Sequence, residues 1–405
     1  MRINFILYSS IIAFLITGCL SDKLTKDGLA FIDVSKNYPE KEIFLTDIAD
    51  VTYLYLNSDD DDYLYKGRIH SITENTVVVV DNVSSSILFF SKDGTPKSHF
   101  NHMGQGPGEY GNRPEVIYDE KADEVFVYGF SSVIHVYSST GEHKRTIKLP
   151  QGIGIQELIF FDDYSLFFYD ASIVFKREWA LSNGSDWPTE DYVLPFYRIS
   201  RTDGEVLDYV ELPGTHLLLG ANYSGRWVNA PHLYSLKCPE GVLLCSAGID
   251  TVFLYSGDKS LTPILYQTPS AASLNPVRFL DICLDRGQYQ FIKVITVHDR
   301  TIPVREGIVF SDIFPMKYYV RDKKTGEIFS QKFLLPDYKG KEFIIDPFDL
   351  YGVNMPFDNE YCIELNLYEL KQAYRENRLS GKLKDLVATL NEDEDNNVFI
   401  LVDFK

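Results

Sequence analysis

The sequence predicts an all-β chain folded as a six-bladed β-propeller with a short C-terminal helix and a closing strand. Three observations predict it. The chain holds 27 Tyr, 27 Phe and 3 Trp, so that 14% of its 405 residues are aromatic, and aromatic and β-branched side chains suit pleated, half-buried surfaces. A unit of strand, gap, aromatic strand and tight turn recurs along the body. The last residues change to a helical period and then finish in an apolar strand, which can pair with the N-terminal region and close a ring.

At the start, Met1-Arg2 is followed by Phe5 to Ile16, an uncharged and mostly apolar run. A bilayer core needs about 20 apolar residues, so this run suits a signal-peptide core rather than a membrane span. It ends in Leu15-Ile16-Thr17-Gly18-Cys19. That stretch resembles a bacterial lipobox, which implies cleavage after Gly18 and lipidation of Cys19. The alternative is an ordinary secretory signal beside a chance cysteine. On the first reading 1–18 is a signal peptide, 19–40 a polar lipid-anchored tether, and 41–405 the propeller.

The recurring unit is read from residues. Val77-Val78-Val79-Val80 leads to Ile87-Leu88-Phe89-Phe90 and the turn ending at Gly94. Val125-Phe126-Val127-Tyr128 leads to Ile134-His135-Val136-Tyr137 and Gly141. Leu166-Phe167-Phe168-Tyr169 leads, past a long insertion, to Tyr197-Arg198-Ile199 and Gly204. Val242-Leu243-Leu244-Cys245 leads to Val252-Phe253-Leu254-Tyr255 and Gly257. Phe291 to Val297 leads to Tyr318-Tyr319-Val320 and Gly326. Glycine at these corners provides the positive φ of a tight hairpin. Units of about 40–50 residues match propeller blades. Ile43 to Leu56, Tyr63 to Ile72 and Phe343 to Leu350 add strand-like material. Seven blades or a pair of β-sandwiches are the competing folds.

Near the end, Leu383, Leu386, Val387 and Leu390 follow the i, i+3, i+4, i+7 stripe of a helix. Leu367, Leu370 and Tyr374 extend the helical segment to 365–390, with an interruption near Ser380-Gly381. Val398 to Val402 is the closing strand, within 398–404, and is expected to pair with Ile43 to Leu56 or a neighbour.

Charge narrows the function. There are 39 basic and 58 acidic residues, a formal charge of −19. Nucleic-acid binders need a basic footprint, so none is expected as a partner. Four cysteines follow Cys19, at 238, 245, 283 and 362, without C-x-x-C spacing, so no zinc ribbon is expected. Cys238 and Cys245 flank the turn Pro239-Glu240-Gly241 and could face each other across a hairpin, oxidised in an exported protein; buried free thiols are the other reading.

Between the first two units lies Gly104-Gln105-Gly106-Pro107-Gly108-Glu109-Tyr110. This stretch resembles the G-x-GPGEY hallmark of the Bacteroidetes six-bladed β-propeller lipoproteins, which are NHL-repeat-like. The tail Glu394-Asp395-Asn396-Asn397-Val398-Phe399-Ile400 resembles their closing E-D-D-N-P-V-L segment, with Asn397 where Pro is usual. The resemblance covers most of the mature chain. It implies the six-bladed ring and a lipoprotein of the cell envelope, with the outer membrane as its anchorage and the face undecided. NHL-like propellers bind proteins, RNA or glycans and include a few enzymes, so the resemblance leaves activity open.

The glycine run lacks a Lys-Ser/Thr end and has Pro107 inside it, so a turn between blades suits it better than a phosphate cradle. Asp59 to Asp62, and the run from Asp393, both depart from the EF-hand pattern. No G-x-S-x-G or H-E-x-x-H occurs. No metal or cofactor is expected. The candidate ligand-binding residues are Trp179, Trp187, Arg226 and Trp227, with Arg113 and His232 behind them. A flat indole stacks on a sugar or anchors a protein, and a neighbouring Arg reaches carboxylates; equally, each Trp could fill a gap between blades. The expected function is a non-catalytic module that binds a glycan, peptide or envelope protein at one mouth of the ring. A glycan lyase or hydrolase acting at the channel mouth, and a structural subunit of an envelope complex, are the alternatives.

Overall fold

The computed structural model describes residues 29–405 apart from 59, 173–194, 213–219, 224–225, 258, 299–300, 303–309, 347–359 and 393. The fold is a six-bladed β-propeller. From the axis outward, blade 1 comprises Gly67–Ile72, Thr76–Asp81, Ile87–Ser91 and Pro96–Phe100. Blade 2 comprises Glu115–Asp119, Glu124–Tyr128, Val133–Tyr137 and His143–Lys148. Blade 3 comprises Ile155–Phe160, Ser165–Asp170, Pro195–Ser200 and Val206–Glu211. Blade 4 comprises Ser235–Cys238, Gly241–Ser246, Ile249–Tyr255 and Leu261–Thr268. Blade 5 comprises Val277–Arg286, Tyr289–Val297, Met316–Asp322 and Ile328–Leu335. In blade 6, Tyr361–Leu365 and Val398–Phe404 are joined by Ala49–Tyr55 from the other end of the chain.

The aromatic excess has a place in this ring. Second strands such as Thr76–Asp81 and Gly241–Ser246 are buried at every residue, because a neighbouring blade covers each face. Outer strands such as Pro96–Phe100 alternate, one face being in water. Six apolar seams then join consecutive blades. Phe89 and Val125 meet in the seam of blades 1 and 2, and Phe126 and Phe168 in that of blades 2 and 3. Phe167 and Tyr255 meet between blades 3 and 4, and Val252 and Ile292 between blades 4 and 5. Phe291 and Ile400 join blades 5 and 6, and Phe399 and Phe90 close blade 6 on blade 1.

Closure follows the expected pairing. Val398 pairs with Tyr55 and Phe404 with Ala49, antiparallel throughout. The helical segment is two helices, Leu367–Arg375 and Gly381–Thr389, broken at Ser380. The Asn366 side chain accepts from Glu369 N and caps the first. Leu370, Leu383 and Val387 bury their stripe against blades 5 and 6.

Three expectations are corrected. The polar tether does not run to residue 40: Ala30–Asp33 adds in parallel to the outer strand of blade 4, and Glu40–Phe44 to that of blade 5. Ala30, Ile32 and Val34 alternate and bury one face on an edge that would otherwise stand open. In Tyr63 to Ile72 the strand starts only at Gly67, and in the region of Phe343 to Leu350 the strand is Tyr338–Phe343, with 347–350 outside the described residues. Cys238 and Cys245 do not face each other. The register pairs Cys238 with Gly241 and Ser235 with Leu244, which sends the two cysteines to opposite ends of the hairpin.

All four described cysteines are buried free thiols. Burial pushes the Cys238 thiol up to about 11 and raises the others further above their usual value. Thiolate is the reactive form. The expected result is that a thiol reagent at pH 8 labels these four only after denaturation. Rapid labelling of the folded chain at Cys238 or Cys245 would contradict it.

Candidate functional site

Strand direction alternates within each blade, so the connections sort themselves between the two mouths of the ring. Connections from the second to the third strand, and from one blade to the next, fall on one mouth. Those from first to second and third to fourth fall on the other. In blades 1 to 5 every connection on the second mouth is two to five residues long, 239–240 and 201–205 being examples. The long connections 101–114, 171–194, 212–234, 298–315 and 366–397 all belong to the first, here called the loop mouth.

Part of the loop mouth is a small accessory sheet. Gly220–Tyr223 pairs antiparallel with Arg226–Asn229 and in parallel with Thr301–Ile302. It thereby ties the connection between blades 3 and 4 to one inside blade 5. Ala221, Ala230, Phe279, Ile295 and Phe314 form an apolar cluster with it. The backbone of Arg226 and Trp227 is in this sheet, but their side chains lie outside the description, as do Trp179 and Trp187 entirely. Arg113 is exposed on the loop mouth, at φ 52°, and its Nε donates to Asn82 O at 3.2 Å. His232 is buried between Tyr234 and Phe279, with ring centroids 4.2 and 5.4 Å away. Its Nδ1 is 3.1 Å from Ala230 O, while its Nε2 has no partner among the described residues. Burial lowers its pKa to about 4, so the ring is neutral.

The glycine run forms a self-bonded turn. Gly106 N donates to Glu109 Oε2 at 2.6 Å, and Gly104 N to Tyr110 O at 3.0 Å. A Cβ on residue 104 would lie 1.9 Å from the Glu109 carboxylate, so a larger residue there would push that side chain off Gly106 N. Tyr110 OH donates to Ser85 O, anchoring the turn on blade 1, and Tyr137 OH donates to Gly108 O from blade 2.

Around the axis, the innermost strands of blades 1, 3 and 5 each carry a register shift, at His70, at Glu157-Leu158 and at Cys283. Those of blades 2 and 4 carry none. A bulge re-aims a side chain, and here it re-aims one toward the next blade. His70 Nδ1 lies 3.3 Å from Val116 N of blade 2. Glu157 accepts from Tyr234 N, Ser235 N and Ser235 Oγ, leading into blade 4. Cys283 Sγ lies 3.9 Å from Asp346 Oδ1, beyond blade 5.

The third of these regions holds a buried charge cluster. Lys293 Nζ is 3.0 Å from Asp346 and 3.5 Å from Asp281, and Lys293 is 0% exposed. Tyr318 OH donates to Asp346 Oδ2 at 2.9 Å, and Leu233 N donates to Asp281 Oδ2 at 3.3 Å. Burial raises Asp281 to about 7 against the opposing pull of Lys293, and raises Glu157 to about 7 despite its three donors. Carboxylates that titrate near neutrality are what acid–base catalysis uses. Lys293 and Asp281 are sealed from water, however, and no substrate reaches them in this conformation. The arrangement clasps blades 4, 5 and 6. Among the described residues, no group of three or more His, Cys, Asp or Glu is placed to hold a metal ion.

Sequence reasoning missed Glu157, Asp281, Lys293 and Asp346. The readable signal was a lone charge inside an otherwise apolar strand, as at Asp281 in Phe279 to Leu284 and Lys293 in Phe291 to Val297.

Residues 22–182 match the model of a family described as 6-bladed beta-propeller. No curated protein matches the chain. Among solved structures, the chain is similar to a Bacteroides fragilis protein described as exported, at 15% identity and a TM-score of 0.58, covering 93% of this chain and 99% of that one. More distant likenesses are the RRP9 WD40 repeats, at 10% identity, TM-score 0.41 and coverage of 88% and 98%, and BamB from Moraxella catarrhalis, at 8%, 0.35 and coverage of 84% and 86%. At these identities the likeness speaks to fold alone.

Proposed function

We propose that the protein is an exported, lipid-anchored propeller that acts as a non-catalytic binding module, taking a glycan, peptide or partner protein at its loop mouth. One observation carries this reading: in blades 1 to 5 the long connections open on the same mouth, while the other is trimmed to tight turns. Long ordered connections on a rigid scaffold are where binding residues concentrate. Sealing of the Lys293 cluster supports a clasp over the enzyme alternative. The lipobox-like end at Cys19 and the likeness to an exported Bacteroides fragilis protein support an envelope location, through lipid rather than charge, since a chain of −19 has no electrostatic attraction for anionic headgroups.

In the test, the 23–405 chain is applied to glycan and peptide arrays, alone and with Trp179→Ala, Trp187→Ala and Trp227→Ala combined. A ligand held by the Trp rim should bind at least about tenfold more weakly to the triple variant, since interface Trp residues often carry 2 kcal/mol or more. Unchanged binding would reject the rim, and no retained ligand of any class would count against the binding-module reading.

A further inference from the structure

We infer that the loop mouth over blades 1 and 2 carries a receptor site for an acidic polypeptide segment, one presenting a carboxylate beside an aliphatic side chain. This rests on the reading of the loop mouth as the binding mouth, and gives that mouth residues and a ligand class.

The centre of the site is Arg68, near the start of the innermost strand of blade 1 and 39% exposed at its side chain. Its Nε donates to His70 Nε2 at 3.1 Å, and its Nη2 donates to Glu115 Oε1 of blade 2. Glu115 Oε2 lies 3.4 Å from His70 Nδ1. Arg68 is thus held at two of its nitrogens, by His70 and by Glu115. Those two contacts fix the guanidinium plane and leave Nη1 with no acceptor among the described residues. An arginine already immobilised loses little freedom when it takes up a carboxylate.

Two further cations flank the same blade-1 turn. Among the described residues, the Arg113 guanidinium spends only its Nε, on Asn82 O. Lys66 is exposed, and its carbonyl accepts from Asn82 N at 2.9 Å. The nearby Asp81 accepts from Lys66 N, Ser84 N and Ser84 Oγ, and Glu115 from Arg68. Lys66, Arg68 and Arg113 outnumber Asp81 and Glu115 at this turn, in a chain that carries −19 as a whole. Repulsion from distant carboxylates is screened beyond about 8 Å at physiological salt.

Apolar side chains decide the class of ligand. Val83, at the tip of that turn, is 74% exposed, and Met103 and Leu64 are exposed in the adjoining connections. Such flexible or branched aliphatic groups offer no flat face for a sugar ring, but they fit aliphatic side chains. Carboxylate recognition beside aliphatic contacts is the requirement of an acidic peptide, rather than of an acidic oligosaccharide.

The full chain is tested against short peptides that carry Asp or Glu next to Leu, Ile or Val, against the same peptides with Asn or Gln, and against uronic-acid oligosaccharides. The expected result is retention of the acidic peptides and binding about tenfold weaker to Arg113→Met and Arg68→Met, the loss of one charge-assisted contact each. The Asn or Gln versions should lose a similar factor, and the triple Trp variant should bind as the natural chain does. Arg113 is exposed, so its variant keeps the test valid if Arg68→Met disturbs the blades. Acidic peptides that bind both arginine variants unchanged, or amide versions that bind equally, overturn the inference while leaving the mouth a binding surface. Retention of the oligosaccharides alone does the same. Retention of nothing overturns the inference together with the reading beneath it.

Discussion

Lys293→Met should destabilise the fold by about 3–5 kcal/mol at pH 8, the cost of removing one partner from a buried ion cluster. Lys293 bridges Asp281 and Asp346, which approach it at 3.5 and 3.0 Å in a place no water reaches. Methionine fills most of the volume and removes the charge, so the two carboxylates are left buried with each other. Urea denaturation measures the effect. The pH dependence is the sharper check. Burial raises Asp281 and Glu157 from carboxylate values near 4 to about 7. Between about pH 4 and 7 the folded state therefore holds more protons than the unfolded one, and stability falls as pH rises through that window. Without Lys293, which pulls it down, Asp281 holds its proton to still higher pH. The deficit of Lys293→Met should then be smaller at pH 5 than at pH 8. An equal deficit at both would mean that the cluster is not ionised as described.

Removal of 398–405 should leave no soluble monomer. Val398 to Val402 are all buried, sealing the seam with blade 5 on one face and that with blade 1 on the other. Each buried large apolar side chain is worth about 1.5–3 kcal/mol. Five of them approach or exceed the 5–15 kcal/mol that separates a folded domain from its unfolded chain. The loss also bares both neighbouring edges, Tyr361–Leu365 and Ala49–Tyr55, to pairing with other chains. Size-exclusion chromatography of the truncated chain decides the matter. A soluble monomer with native-like β circular dichroism would show that ring closure is dispensable.

Much of the fold is legible before any coordinates, because each blade repeats one pattern. Val77 to Val80 and Leu166 to Tyr169 are continuous apolar runs since both faces are covered, and the glycines at 94, 141, 204, 257 and 326 all have positive φ. The edge additions at 30–33 and 40–44 were less legible. Four or five residues with polar neighbours look the same in a tether as on a sheet edge, and only the partner strand distinguishes them. The cysteine pair failed for a related reason. A turn signal locates a hairpin but not its register, and a shift along the hairpin carries Cys245 past its end.

The sites divide along the same line. The glycine run is local, so its Glu109 and Tyr110 could be recognised as a turn from spacing alone. Arg68, His70 and Glu115 stand 47 residues apart at the extremes, and they meet only because two innermost strands come together at the axis. Glu157 finds Ser235 across 78 residues in the same way. By itself, then, the sequence determined the repeating blade, the closing strand and the acidic surface, since periodicity, turn chemistry and charge are properties of neighbours along the chain. The tertiary structure alone decided which mouth gathers the long connections and which charges are clasped or left open there, because those follow from strand direction and from contacts between residues far apart in sequence.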